Sequence, residues 1–313
     1  MFVSIVTPTL NRPLPLHRAL QSLTAQRVPD GYRIELVVVD NSPDGNARGG
    51  VDAIARDAAI PLRYVAEPRP GIAVARNRGV RESRGDWVAF LDDDEEADPD
   101  WAQSLCAAAT RSGADAVFGP VVARPEVDAQ GVADASVLLG YFERRRELAD
   151  GDDLTDWYAY LGTNNSMFRK ATCLATPQPF EEALDRIGGE DSLLLLWLYR
   201  AGRRFAWAQG ATVTEWVPPR RLTWSYVRRR KMLSGQIRTF VHRMLVPPQW
   251  PKVVGWMLIG ATQASSAGAA AACVWPFDRV LARKLSVTAL SGLGKLFWLP
   301  RFRPSLYGNN LVS

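Results

Sequence analysis

The sequence predicts an α/β protein: a mixed, mostly parallel sheet flanked by helices, followed by a helical, basic C-terminal extension. Three observations carry that expectation. Apolar runs of strand length alternate with amphipathic stretches through the first half of the chain, the pattern of strand–helix–strand units. Several of those runs end on acidic residues, and beyond Asp191 the balance turns strongly basic. At 313 residues, 47% hydrophobic and 23% charged, the composition is globular, with room for one large domain and an appendage.

"FVSIVTPT" reads as the first strand, and with no basic leader or cleavage pattern it is expected to open the mature fold. "PLPLHRALQSLTAQ" is helical, with Leu16, Leu20 and Leu23 on one face. "RIELVVVD" is a buried strand ending on Asp40. Beyond the turn-rich "NSPDGNARGG" come a helical "VDAIARDAA", the strand "PLRYVAE" and the helix "IAVARNRGVRES". "DWVAFLDDD" is the next strand. In "DPDWAQSLCAAATRSG" Asp98 is the expected N-cap and Pro99 the first helical residue. Ligands of such sheets bind outside the carboxyl ends of the strands, which here means Thr7-Pro8-Thr9, Asp40 and Asp92-Asp93-Asp94.

Several classes drop out. Cys106, Cys173 and Cys273 lie far apart, which argues against a zinc site or a disulfide framework. No GxGxxG follows the first strand and no GxxxxGK[ST] occurs, so dinucleotide and P-loop sites are not expected. A phosphate without such a cradle needs another source of positive charge, and carboxylates holding a divalent cation can supply it. The run "LDDDEEAD" raises that question directly. Asp92, Asp93, Asp94, Glu95 and Glu96 repel one another, and burying one unpaired carboxylate costs roughly several kcal/mol. The run is therefore either a solvated turn or a cation site.

Six segments in order settle the expectation: "SIVTPTLNR", "ELVVVDNSPDG", "PGIAVARNRGV", "DWVAFLDDD", "GTNNSMFRK" and "GGEDSLLLLWLYRAG". Together, over about residues 2–235, they resemble the family 2 glycosyltransferases of the GT-A fold, whose sheet is Rossmann-like. The resemblance implies an inverting, metal-dependent, hexosyltransferase-type enzyme using Mg²⁺ or Mn²⁺. Its donor would be a nucleoside-diphosphate sugar, UDP or dTDP rather than GDP. Its acceptor would be a glycan or a lipid-linked acceptor in cell-surface polysaccharide or glycoconjugate synthesis. Carried over residue by residue, Thr7, Pro8, Thr9 and Arg12 pack on base and ribose. Asp40 accepts from the imide N–H of the base, or caps its own turn. Arg76 and Asn77 flank the nucleotide, or serve ordinary helix roles. Asp92 and Asp94 form the DxD pattern around Asp93; Asp92 and Asp93 touch the donor, Asp92 and Asp94 hold the metal, and Glu95 and Glu96 stay solvated. Asp191 is the general base, or a helix cap. One base with no carboxylate nucleophile implies a single displacement with inversion. Glu190, Asn164 and Asn165 are assigned to the acceptor side. Where relatives carry HxVP with a metal-reaching histidine, this chain has Glu215 in "EWVPPRR", a third candidate oxygen ligand.

Two rival readings are a metal-dependent nucleotidyltransferase or phosphatase, and a non-catalytic cation- or sugar-binding module. The first lacks a DxDx[TV] nucleophile; the second leaves Asp40 and Asp191 unexplained. The expected organisation is a catalytic domain over 1–235, split into a donor half at 1–122 and an acceptor half at 123–235, with a helical region at 236–313. Charge divides along the chain: 20 Lys+Arg against 31 Asp+Glu up to Asp191, then 18 basic residues against only Glu215 and Asp278. Val253–Phe277 carries no charge, yet it is rich in Gly, Ala and Ser, and tryptophans with basic residues surround it. The expectation is peripheral attachment to an anionic membrane on the cytoplasmic side, by surface helices or a shallow hairpin. A single span is the runner-up, and a helical lid on the catalytic domain is the alternative. With no RNP, KH or zinc pattern, nucleic acid is not an expected partner.

Overall fold

The computed structural model describes residues 1–302 apart from Pro29, Gln130 and Arg186. The first half runs β1 (Phe2–Thr9), α1 (Pro13–Thr24), β2 (Arg33–Asp40), α2 (Arg48–Ala55), β3 (Leu62–Ala66), α3 (Ile72–Glu82) and β4 (Trp87–Phe90). Next come β5 (Glu95–Ala97), α4 (Trp101–Ser112), β6 (Ala116–Phe118), β7 (Val121–Pro125), α5 (Ala135–Leu139), β8 (Ser166–Arg169) and α6 (Lys170–Cys173). The chain continues through α7 (Glu190–Arg200), β9 (Phe205–Trp207) and β10 (Val213–Val217) to three helices, α8 (Trp224–Met244), α9 (Trp250–Val274) and α10 (Arg279–Leu296).

The main sheet has the order β3-β2-β1-β4-β8-β6-β9. β1 to β4 are mutually parallel, as are β6 and β9, while β8 runs antiparallel to both its neighbours. Strands covered on both faces read as continuous apolar runs, and alternate residues divide between two cores. Ile5, Leu36 and Val38 pack with Leu16, Leu20 and Leu23 of α1 and with Trp101 and Leu105 of α4. Val6, Val37 and Val39 pack on the other face with Ala73 and Val80 of α3 and Leu194 and Leu195 of α7. A second sheet, β5-β10-β7, stands beside the first.

One helix start differs from expectation. α4 begins at Trp101 without a side-chain cap, because the Asp98 N–H is already bonded to the Thr212 carbonyl and holds residue 98 in line with β5. Residues 122 and 123 both lie in β7, and residues 235 and 236 both lie in α8. Both are continuous, hydrogen-bonded elements.

The uncharged stretch is one long helix, α9, laid antiparallel against α10. Small residues allow that approach: a Cβ on Gly292 would stand 2.6 Å from the Gly260 carbonyl oxygen. Asp278 caps α10 and Thr223 caps α8, each accepting a first-turn N–H. α10 also crosses α8, and there a Cβ on Gly235 would lie 2.1 Å from the Ser291 carbonyl oxygen. Backbone cannot give way as a side chain can. Gly235→Ala is therefore expected to lower the free energy of unfolding by about 1–3 kcal/mol, read from the denaturation midpoint; an unchanged midpoint would mean that the crossing tolerates a methyl group.

Candidate active site

Because β1, β2 and β4 are parallel, their carboxyl ends share one edge of the sheet. The reversed strand β8 brings the loop before it to that same edge, with Ser166 opposite Phe90. The acidic run after β4 thus faces the "GTNN" loop, and Asp191 enters from the first turn of α7.

The acids are mostly buried, and the chain supplies its own counter-charges. Arg12 donates to Asp93 at 2.7 Å and to Asp94 at 3.1 Å, while the Thr9 hydroxyl bonds the other oxygen of Asp93 at 2.8 Å. Arg221 donates to the same Asp94 oxygen at 3.1 Å and stands 3.7 Å from Glu215. Arg76 reaches Glu190 at 2.7 Å and the partly exposed Asp92 at 3.4 Å. Glu95 is not solvated as expected: it is buried, accepting the Asp92 N–H at 3.0 Å and the Asn164 amide at 2.9 Å. Glu96 is half-buried and accepts the indole N–H of Trp216 at 3.0 Å.

Burial and neighbouring carboxylates act together on this cluster. Burial pushes Asp93 up to about 7, with Asp94 adding to the shift and Arg12 opposing it. Glu190 and Glu215 each rise to about 7, again chiefly through burial and then through Asp191 and Asp94 respectively. For Asp94 burial works against the charge, but Arg221 and Arg12 outweigh it and hold the carboxyl below its usual range. Burial takes the Arg144 guanidinium down to about 10 as it donates to the carbonyls of Asn164 and Asn165, each at 2.8 Å. The carboxylates at this edge outnumber the guanidiniums, and that deficit of positive charge suits a cation.

Several expected residues serve the fold instead. Thr7, Pro8 and Thr9 belong to β1 itself and are buried, so they form no loop over a base. Both oxygens of Asp40 are committed. One accepts the Ser42 N–H at 3.0 Å and the Ser42 hydroxyl; the other accepts the Ala47 N–H at 2.9 Å and the Tyr64 hydroxyl at 3.0 Å. It caps its own turn, the alternative weighed above, and has no oxygen left for an imide. Asn77 is buried and ties its amide to the backbone of Phe180. Asn165, at φ 48°, accepts from the Trp101 indole at 2.7 Å and donates to the carbonyls of Pro120 and Ala211. Arg221 stands between Glu215 and Asp94, 3.7 Å from the first and 3.1 Å from the second. Among the described residues no group of three His, Cys, Asp or Glu side chains is arranged to hold a metal.

What remains open is the space over Gly162. Asp191 is half-buried, and one of its oxygens accepts the Ser192 N–H at 2.6 Å. Its other oxygen lies near Gly162: a Cβ there would stand 3.2 Å from it and 3.0 Å from Asn164 Oδ1. Arg221 and Arg144 were not singled out from the sequence. The doubled arginine of "VPPRR" was a visible signal for the first; Arg144, inside the long segment between β7 and β8, left none.

A family model, glycosyl transferase family 2, matches residues 4–172. The chain belongs to that family. It is 31% identical over 236 residues to succinoglycan biosynthesis protein ExoM of Rhizobium meliloti (strain 1021), a match spanning 75% of this chain and 74% of the relative. Glycosyltransferase AglE of Haloferax volcanii is 29% identical over 124 residues, 38% of this chain and 39% of its own length. Two solved structures share the fold. Mannosyltransferase PcManGT from Pyrobaculum calidifontis, in complex with GDP-Man and Mn²⁺, gives a TM-score of 0.61 at 18% identity, over 95% of this chain and 87% of that one. TarS 1–349 of S. aureus, in complex with UDP, gives 0.52 at 17% identity, over 94% and 89%. The glycosyltransferase is thus of the GT-A type, with its mostly parallel sheet and flanking helices.

The commitment of Asp40 is testable. Asp40→Asn places an amide against the Ala47 N–H or the Ser42 N–H, and is expected to cost about 1–3 kcal/mol of stability in chemical denaturation. A residue that only touched a donor base would lose nucleotide affinity and keep its stability.

Proposed function

We propose that this glycosyltransferase moves a sugar from a nucleoside diphosphate to a hydroxyl of a growing glycan, with inversion, in cell-surface polysaccharide synthesis. The observation that carries the reading is the free oxygen of Asp191 facing Asn164 across Gly162, beside the acidic triplet. The similarity to ExoM supports the polysaccharide assignment. With Asp40 committed to its turn, the choice of base passes to other groups, and a panel of UDP-, dTDP- and GDP-sugars decides it.

In this reading Asn164 orients the acceptor hydroxyl in the space over Gly162. Asp191 takes its proton as the oxygen attacks the anomeric carbon, and the bond to the diphosphate breaks on the opposite face. A single base without a covalent partner inverts the centre. Arg76 holds Glu190 buried beside Asp191 and so fixes the first turn of α7 that carries the base. The surplus of carboxylates over guanidiniums fits a hard divalent cation, which needs one or two carboxylates and completes its shell with waters and substrate phosphates. Asp92, partly exposed, and Asp94 would hold it. When bound, Mg²⁺ or Mn²⁺ supplies Lewis-acid stabilisation of the departing diphosphate.

Asp191→Asn is expected to lower turnover about 10²–10⁴-fold while nucleotide binding stays near that of the parent. Excess EDTA should abolish activity and added Mn²⁺ restore it. Near-parental turnover in the variant would return Asp191 to a helix-terminal role, and full activity in EDTA would remove the metal.

The second part of the proposal places the enzyme on the cytoplasmic face of an anionic membrane. α9 is long and apolar enough to cross one, and only 11% of its most apolar window is buried. Val254, Leu258 and Ile259 are exposed along it, with Trp250 at its start and Phe277 beyond its end. A crossing would draw in the partner helix α10 with Arg279, Arg283, Lys284 and Lys295, at high cost. Peripheral seating keeps those charges at the headgroups. The protein should sediment with vesicles containing phosphatidylglycerol and come off only partly in high salt, while Leu258→Glu with Ile259→Glu should stay in the supernatant. Resistance to carbonate would indicate a span, and absence of binding in the parent a lid.

A further inference from the structure

The segment leading into Gly162 carries two aromatic side chains that the fold does not consume. Thr155–Tyr160 is a short 3₁₀ helix held at both ends: Leu154 and Leu161 are buried, and the Leu154 N–H donates to the Phe205 carbonyl at 2.9 Å. Tyr158 fixes the middle by stacking on Tyr199 of α7, with centroids 4.2 Å apart and planes 20° from parallel. Trp157 and Tyr160 stay 43% and 51% exposed. A 3₁₀ helix turns in about three residues, so positions 157 and 160 eclipse. Their rings meet edge to face at 5.8 Å. Each also has a guanidinium over it, Arg146 at 4.2 Å from the Trp157 ring and Arg238 of α8 at 3.8 Å from the Tyr160 ring. Arg146 Nε has no hydrogen-bond partner among the described residues. Single exposed aromatics are ordinary, but a rigid pair on one face, flanked by donors, has the make-up of a binding surface.

The place of the pair says what it faces. Tyr160 stands two residues before Gly162, so at most about 7 Å of backbone separates it from the space between Asp191 and Asn164. A small cleft lined by Tyr158, Ala159, Ser192 and Arg238 lies between this segment and the first turn of α7. Arg144, two residues before Arg146, bonds the carbonyls of Asn164 and Asn165. The platform is therefore tied to the same loop as the reaction space. A pyranose with equatorial hydroxyls has C–H groups on its faces and hydroxyls around its rim; the faces suit aromatic rings and the rim suits guanidinium donors. Building on the glycosyltransferase reading, we infer that Trp157 and Tyr160 are an acceptor subsite, stacking the sugar next to the one whose hydroxyl meets Asp191. Arg146 and Arg238 donate to its rim. The acceptor is then an oligosaccharide end of equatorially hydroxylated hexoses joined by an equatorial linkage, which keeps successive ring faces in line. Residues 157 and 160 set specificity without touching the reacting atoms. The rings belong to the segment that runs into the reaction space and not to the apolar face of α9, which favours a sugar over a lipid surface.

The full-length protein, saturated with UDP and Mg²⁺, is observed by saturation-transfer NMR with cellotetraose, and with maltotetraose as the axially linked comparison. Transfer should be strongest to the ring C–H protons of one glucose unit, and cellotetraose should bind about tenfold more tightly than maltotetraose. Trp157→Ala and Tyr160→Ala should each lower that affinity about tenfold. Trp157→Phe and Tyr160→Phe should keep most of it, and Trp275→Ala, just past the end of α9, should leave it unchanged. UDP affinity should stay at the parental level in every variant, which separates a lost platform from a lost fold. Equal binding of the two tetraoses, no binding by the parent, or indifference to both alanine variants would overturn the subsite. Unchanged saccharide binding with loss of sedimentation on phosphatidylglycerol vesicles would give the rings to the membrane and overturn it as well. Asp191→Asn, which tests the transferase reading, should keep the cellotetraose signal, so the base and the platform can fail separately.

Discussion

The buried pairing of Asp93 and Asp94 with Arg12 and Arg221 is the constraint around which the catalytic edge is organised. It joins the start of α1, the end of β4 and the turn after β10, three places far apart in the chain. A carboxylate taken out of water is tolerated only with compensating charge, and a pair that loses one member costs about 3–5 kcal/mol. The network therefore fixes backbone positions as much as it manages charge. Around it a second arginine system, Arg76 with Glu190 and Asp92, sets the first turn of α7 beside the acidic run. Arg144 then holds the carbonyls of the loop that faces both.

Much of the fold was legible because burial on both faces of a parallel sheet writes itself into the sequence as unbroken apolar runs. "FVSIVTPT", "RIELVVVD" and "WVAF" became β1, β2 and β4 at the expected places. The acidic run was legible as a site but not as a structure. Glu95 looked solvated because its partners, the Asp92 backbone and the Asn164 amide, come respectively from a tight turn and from a loop some seventy residues away. Asp40, Asn77 and Asn165 show the converse. Each sits in a motif whose chemistry suggests a ligand, and each spends its polar atoms on backbone and side-chain groups of neighbouring segments. Residue type and spacing do not distinguish a side chain that holds a loop from one that holds a substrate; only the count of its satisfied lone pairs does.

Charge tells a different story on the two sides of Asp191. At the acidic edge, opposite charges arrive from remote segments and largely cancel. In α8 to α10 the basic residues have few acidic partners, the ion pair of Arg283 with Asp134 being one exception. Sequence composition registered that imbalance, and the structure locates it: some of the charge is solvated along α8, and some is gathered beside the cleft at Ser192. Glycine and alanine contacts between α9 and α10 are what allow both helices to stay close enough for Arg238 and Lys295 to share one tryptophan.

The reversal of β8 has a consequence for how such an enzyme diversifies. In a sheet of parallel strands only, every loop at the productive edge follows its strand, and the segments leading into the strands emerge at the opposite edge. Here the long stretch between β7 and β8 is delivered straight to the productive edge, ending in Gly162 to Asn165. Insertions or replacements in residues 126–161 can reshape what lies opposite Asp191 without moving β1, β2 or β4. The topology thus lets the segment facing Asp191 be rebuilt while the parallel strands that carry the acidic edge keep their register.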